Sequence, residues 1–250
     1  MHVLAPPVIM ASLEDLKEQA GIAACSFVSD GMAIGLGTGS TVRYSIIEIA
    51  RMIREEGMNI VGVPTSEITR DLATKLEIPL IELDEANTLD LTIDGADEFD
   101  SRFDLIKGGG GALTREKIVA LASRSMVVVA DHTKQVETLG RFDLPVEVHA
   151  ASLLGVKDAI SSICPGEVLL RGGEIAPFIT DNGGMILDCS FGPIIANPGH
   201  LEQEIREISG VVEVGLFVGI CDAVVVASEV GVNTLIKPDG RLNSSGGVKD

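Results

Sequence analysis

The most constraining feature of this sequence is the alternation of helix-like and strand-like segments through its first half. Apolar residues recur at helical spacing from about Ser12 to Val28, Thr41 to Glu56, Ser66 to Leu76 and Leu113 to Ala122, and the short apolar runs MAIGLG, NIVGV, PLIEL, LDLTID and SMVVVAD lie between them. That order predicts an α/β fold with a doubly wound, mostly parallel, Rossmann-like sheet. Hydrophobic residues make up 46% of the chain but aromatics only 3%, with no Trp, so the core must be built from Val, Ile, Leu and Ala. Such residues suit strands buried on both faces. In these sheets ligands bind beyond the carboxyl ends of the strands.

From Leu144 the pattern changes to PVEVH, a helix from Ser152 to Ile163, EVLLRG, FITDNGGMILDCS with a turn at Asn182-Gly183-Gly184, a helix from His200 to Ile208, and VVEVGLF. This βαββαβ order reads as a smaller ferredoxin-like α+β domain. The later runs DAVVVAS and TLIKP return to the strand type of the first sheet. The expected organisation is a catalytic domain over residues 1–140 completed by 218–250, with residues 141–217 inserted and a cleft between the two. A chain of 250 residues is long enough to bury both cores.

Several function classes are disfavoured. A formal charge of −18 argues against a nucleic-acid partner, which would require clustered Lys and Arg. Cys25, Cys164, Cys189 and Cys221 show no CxxC spacing and read as reduced packing residues, and His2, His132, His149 and His200 complete no zinc-ligand set. The apolar run over residues 211–232 is interrupted by Glu213, Asp222 and Glu229, which fits two buried strands better than a membrane span. The opening MHVLAPPVIM lacks the features of a secretory signal, so a cytoplasmic location is expected.

Four segments at strand-to-helix connections carry the chemistry. Gly35-Leu36-Gly37-Thr38-Gly39-Ser40-Thr41 places glycines, hydroxyls and a helix start together, as a phosphate cradle does. A dinucleotide site is the rival, but the spacing is not GxGxxG and the next strand ends without an acid for a ribose. Asp94-Gly95-Ala96-Asp97-Glu98 puts carboxylates at a strand end, where paired acids raise one another's pKa. A metal site or a solvated turn stays open there. Lys107-Gly108-Gly109-Gly110-Gly111 spends four flexible residues ahead of a helix, which suits close backbone approach to a ligand, and Glu116 follows one turn later. Glu116 also has a purely structural reading as a helix-dipole partner. Lys134, after the strand MVVVA, reads either as a phosphate partner or as a surface lysine.

All four segments fall on one sheet edge. Together they offer an anion cradle, a fixed cation and separated carboxylates, without an activated Ser or Cys and without a cofactor fingerprint. That inventory suffices for proton transfer beside a carbonyl.

Read in order, GLGTGSTV, DGADE, KGGGGALTREK, ADHTKQ, LPVEV, TDNGG and SGVVEVGLF resemble the A-type ribose-5-phosphate isomerase family along nearly the whole chain. The resemblance implies interconversion of ribose 5-phosphate and ribulose 5-phosphate through an enediolate in the non-oxidative pentose phosphate pathway. It implies a sugar-phosphate substrate, no metal or organic cofactor, and a homodimer or homotetramer. The family's general base falls on Glu116; Asp94, Asp97 and Lys107 fall on the residues that handle sugar hydroxyls and ring opening. Substrate binding falls on Thr38, Gly39, Ser40 and Thr41, on Gly95 and Ala96, on Gly108, Gly109 and Gly110, and on Lys134, with Lys17 in the first helix as a further phosphate contact. The chain departs from the family at Gly111, often Ala, and at His132, often a small residue.

Two other classes fit the pattern less well. A sugar-phosphate sensor of the DeoR type should carry a basic helix-turn-helix segment that this N-terminus lacks. An amino-sugar-phosphate deaminase or a coenzyme A transferase should carry a catalytic His arrangement or a nucleophilic Glu motif, and neither is found.

Overall fold

The computed structural model describes residues 11–86 and 88–242. The segment MHVLAPPVIM lies outside them, as does the end of the 218–250 stretch.

Helix α1 (Leu13–Ala24) starts on Ser12, whose side chain accepts from Asp15 N–H while the Asp15 carboxylate accepts from Ser12 N–H, a reciprocal cap. It leads into β1 (Ala33–Leu36), α2 (Val42–Glu56), β2 (Val61–Pro64), α3 (Glu67–Lys75) and β3 (Leu91–Gly95). Two short strands, β4 (Glu98–Phe99) and β5 (Leu105–Ile106), precede α4 (Leu113–Leu121) and β6 (Met126–Asp131). The second half runs β7 (Leu144–Val148), α5 (Leu153–Ser161), β8 (Val168–Leu170), β9 (Met185–Cys189), α6 (Pro198–Arg206), β10 (Val211–Val214) and β11 (Leu216–Phe217). It ends on β12 (Ala223–Ser228) and β13 (Gly231–Ile236).

The main sheet has the order β13-β12-β6-β3-β1-β2. Its pairings are parallel except at the β12–β13 edge. The fold is thus the expected α/β type. Strand β6 shows why its sequence is a continuous apolar run. Val127 and Val129 pack into the core that holds α2 residues Ile46 and Ile49, whereas Met126, Val128 and Ala130 pack into a second core with Phe99 and Phe217. Both faces are covered, so period-two polarity is lost. Chain order reverses between β1 and β3, where the loops that follow these strands diverge and leave a crevice.

The antiparallel sheet has the order β10-β7-β9-β8, the ferredoxin-like arrangement expected from βαββαβ. Its core joins Leu144, Val146 and Val148 to Val156 and Ile160 of α5 and Ile205 of α6. Three expectations need correction. PLIEL forms only an isolated bridge, Gly62 to Leu80, and FITDNGGMILDCS is a strand only over Met185–Cys189, preceded by a bridge from Ile179 to Met185. VVEVGLF splits into β10 and β11, which belong to different sheets; β11 joins β5 and β4 in a three-stranded sheet. The split occurs at Gly215, where an added Cβ would lie 2.4 Å from Lys107 O and 2.8 Å from Pro145 O. Only a residue without a side chain fits between those two carbonyls, so the chain changes sheets there.

Helix α4 lies between the parallel and antiparallel sheets. Thr114 donates to Glu147 of β7, and the buried Lys117 ammonium reaches Glu213 at 2.8 Å, Val214 O at 2.7 Å and Glu202 at 2.6 Å. These buried partners fix the axial position of the helix, and with it the position of Glu116.

Candidate active site

The loops after β1, β3, β5 and β6 enclose a cleft of about 330 Å³, which opens at the crevice where strand order reverses. That volume suits a small metabolite. One wall is the start of α2. Gly39, Ser40 and Thr41 line it, and no side chain caps the helix; Arg43 and Tyr44 N–H donate to Gly39 O and Thr41 O, which leaves the Ser40, Thr41 and Val42 amides without a backbone acceptor among the described residues and open to an anion. Lys17 from α1 and Lys134 flank this end of the cleft. Thr38 is held from behind: its hydroxyl lies 2.8 Å from Thr65 Oγ1 and 2.7 Å from Ser66 Oγ, while Thr69 Oγ1 donates to Gly37 O at 2.9 Å.

Lys107 and Glu116 bring a buried charge cluster to the cleft lining. Lys107 Nζ lies 3.0 Å from Asp94 Oδ2, 3.1 Å from Glu116 Oε1 and 2.5 Å from Gly95 O, with the Phe217 ring centroid at 5.5 Å. Backbone pairing places this lysine, because Lys107 N–H donates to Gly215 O at 2.8 Å and so extends the small sheet by one residue. Asp94 Oδ1 accepts from Thr38 N–H at 3.0 Å and Gly95 N–H at 2.7 Å, tying the first loop to the second. Gly37 permits that contact: a Cβ there would meet Asp94 Oδ1 at 2.1 Å.

Burial, reinforced by the negative charge of Asp94, pushes the Glu116 carboxyl up to about 8 despite the opposing Lys107 ammonium. Burial likewise raises Asp94, against the pull of Lys107 and the two amides. Burial works against the Lys107 charge, but Asp94 and Glu116 outweigh it and hold this ammonium above the ordinary lysine range. One cation between two carboxyls therefore stays charged. Glu116 Oε2 is buried and accepts no hydrogen bond among the described residues, which leaves a basic oxygen available at the cleft.

Most residues expected from the sequence meet here. Lys17, Thr38, Gly39, Ser40, Thr41, Gly95, Ala96, Asp97, Lys107, Gly108, Gly110, Glu116 and Lys134 all line the cleft. Two do not. Asp94 is wholly buried beside the cleft, where its carboxylate pairs with Lys107 and accepts from Thr38 N–H. Gly109 N–H is taken by Asp97 Oδ2 at 2.7 Å, and the residue faces the opposite side of its loop. His132 is exposed in the turn after β6 and does not enter the cleft. Glu98 points away and accepts from Gly140 and Phe142 N–H at 2.8 and 2.7 Å.

Sequence reasoning missed Leu13, Asp131 and Thr133, which also line the cleft. Asp131 had a detectable signal, since it ends β6 as Asp94 nearly ends β3. Among the described residues no group of three or more His, Cys, Asp or Glu side chains is placed to hold a metal ion.

The ribose 5-phosphate isomerase A (phosphoriboisomerase A) family pattern matches residues 61–231. A ribose-5-phosphate isomerase A of Bacillus mycoides is 48% identical over 219 residues, covering 87% of this chain and 98% of the relative. The chain belongs to this family. A second relative of that name, from Rhodopseudomonas palustris, is 49% identical and covers 89% of this chain and 97% of its own. Among solved structures, ribose 5-phosphate isomerase A of Methanocaldococcus jannaschii superposes with a TM-score of 0.85 at 45% identity, over 90% of this chain and all of the other. A D-ribose-5-phosphate isomerase solved with phospho-erythronic acid gives a TM-score of 0.87 at 38% identity and the same coverage. The cleft of this family member thus combines an uncapped helix start with a buried carboxyl of raised pKa.

Proposed function

We propose that this enzyme interconverts D-ribose 5-phosphate and D-ribulose 5-phosphate through an enediolate, with Glu116 as the base. The observation that carries this reading is the Glu116 carboxylate, buried beside a permanent cation with one oxygen unpartnered at the cleft. Substrate phosphate sits at the start of α2 between Lys17 and Lys134. The sugar then runs across the cleft to Lys107 and Glu116.

In the open-chain aldose, Glu116 removes the C2 proton. The C–H electron pair forms the C1–C2 double bond and the carbonyl electrons move to O1. Lys107 and backbone N–H groups of the glycine loop stabilise that oxyanion. Glu116 then returns its proton to C1 as the C2 carbonyl forms, and the hydroxyl proton passes from O2 to O1. Asp97, at the cleft surface, is assigned this hydroxyl transfer and ring opening. A base with a pKa near working pH combines adequate strength with adequate ionisation, which the raised value of Glu116 supplies.

In the same reading the enzyme is a cytoplasmic homodimer or homotetramer of the non-oxidative pentose phosphate pathway. Exposed Leu169, Ile175 and Ile179 on the antiparallel domain support assembly. No helix among the described residues is long and apolar enough to cross a membrane.

The pH dependence of kcat/KM tests the assignment. Glu116 must be ionised in the free enzyme, so the rate with ribose 5-phosphate should rise with pH to a plateau, with an inflection near the value of about 8. Asp94→Asn removes a charge that raises Glu116 and should move the inflection to lower pH. A profile flat from about pH 6 to 9, or an inflection that Asp94→Asn moves upward, would count against Glu116 as the base.

A further inference from the structure

The glycine loop is gripped from outside the cleft by a residue of the antiparallel domain. Arg171 directly follows β8, and its guanidinium donates through Nη1 to Gly108 O at 2.8 Å and Gly109 O at 3.2 Å. The other edge of the same guanidinium is paired in two-point fashion with Asp188 of β9, Nε to Oδ2 at 3.0 Å and Nη2 to Oδ1 at 2.5 Å. The Phe178 ring lies over it at 5.9 Å. A guanidinium held at one edge by a carboxylate and against a ring has little freedom to turn, so the carbonyls on its other edge are fixed with it.

Peptide planarity transmits this constraint through the loop. In a trans peptide the C=O of one residue and the N–H of the next point in opposite directions. With Gly108 O aimed at Arg171, Gly109 N–H faces away from it, and it meets Asp97 Oδ2 at 2.7 Å. With Gly109 O also aimed at Arg171, Gly110 N–H faces away in turn. No acceptor for that N–H occurs among the described residues. The two sides of the loop agree: Gly109 lines the groove that holds Arg171 and Asp188, whereas Gly110 lines the catalytic cleft. Gly108 O is also held by Gly111 N–H at 2.9 Å, whereas Arg171 is the one partner of Gly109 O among the described residues; without the arginine the Gly109–Gly110 peptide, between glycines free in φ and ψ, could flip and turn a carbonyl toward the developing oxyanion.

We propose that Arg171 is a positioning residue for the isomerisation, holding the Gly108 and Gly109 carbonyls outward so that Gly110 N–H faces the enediolate and Asp97 stays fixed. The inference rests on the isomerase reading above. It assigns a role in the reaction to the antiparallel domain, from which no residue enters the cleft itself.

The test compares the parent enzyme with Arg171→Met, Arg171→Lys and Asp188→Asn, using ribose 5-phosphate as substrate and two probes, phospho-erythronic acid as a mimic of the charged intermediate and inorganic phosphate as a mimic of the remote group. Removal of one oxyanion donor typically costs about 10²–10³ in kcat, and loosening it should cost less. Arg171→Met should therefore lower kcat by about 10- to 100-fold with KM changed less than about threefold. Its Ki for phospho-erythronic acid should rise in step with kcat/KM, and its Ki for phosphate should not change. Arg171→Lys, which can contact one carbonyl but not clamp two, and Asp188→Asn, which frees the guanidinium, should both fall between parent and Arg171→Met. If Arg171→Met does not fold, those two variants carry the same test through the same pattern of constants. The proposal is overturned if the folded variants keep kcat within about twofold of the parent, or if both inhibitors weaken equally. Absence of turnover by the parent would instead refute the isomerase reading on which the proposal depends.

Discussion

Glu116→Gln is expected to lower kcat by about 10²- to 10⁴-fold, the range for a positioned base, while making the folded protein more stable at pH 8. The stability gain follows from the raised carboxyl, whose ordinary value is 4.5 and whose folded value is about 8. Between those pH values the native protein holds a proton that the unfolded chain has released. Parent stability therefore falls as pH rises through the window, by at most the one-proton linkage slope of about 1.4 kcal/mol per unit, and is level above it. Glutamine resembles the protonated acid and lacks this loss. The stability difference between variant and parent should be small near pH 4.5, widen up to about pH 8, and then remain constant. Urea denaturation at several pH values reads it directly. A variant that keeps full activity, or a difference that does not widen, would contradict the account.

Lys107→Met should be more damaging, because it removes the cation from between two buried carboxyls. Breaking a buried ionic cluster by deleting one partner costs about 3–5 kcal/mol. The loss should be greatest at alkaline pH, where Asp94 and Glu116 must both ionise, and smaller at acidic pH, where protonation neutralises them. Activity should fall by about 10²–10³ through loss of oxyanion stabilisation. Residual kcat/KM should also shift to higher pH, since Lys107 lowers the Glu116 pKa. Stability unchanged at pH 9, or a shift of the rate profile to lower pH, would show that the ammonium does not neutralise this pair.

The fold and the cleft were legible in the sequence for related reasons. Alternating helices and apolar strands predict a parallel sheet, and a parallel sheet places every strand-to-helix loop on one edge, so GLGTGST, DGAD, KGGGG and DHTK converge without reference to long-range pairing. Less visible were features set by contacts between distant segments. The run VVEVGLF looks like one strand, and only the approach of Gly215 to Lys107 and Pro145 divides it between two sheets. Asp94 reads as a cleft residue from its position at a strand end. What position alone does not show is that the close approach of Gly37 buries the Asp94 carboxylate against Lys107 and Thr38 N–H. Arg171 could not have been selected, because nothing local in EVLLRG separates it from a surface arginine; its role arises from Asp188 and the glycine carbonyls, which lie far away in sequence. Lys117 beside Glu116 was equally unmarked, and its burial against Glu202 and Glu213 depends on where α4 packs.

In the proposed mechanism a carboxylate moves a proton between neighbouring carbons of a pentose phosphate. Proton NMR of ribose 5-phosphate turnover in D₂O tests it most directly. Ribulose 5-phosphate should carry deuterium at C1, and the C2 proton signal of the remaining ribose 5-phosphate should gradually disappear, because a proton carried by Glu116 exchanges with solvent between removal and return. Both signals should be suppressed in Glu116→Gln. Turnover at the normal rate without any deuterium in product or substrate would mean direct hydrogen transfer between the carbons, and would contradict the account.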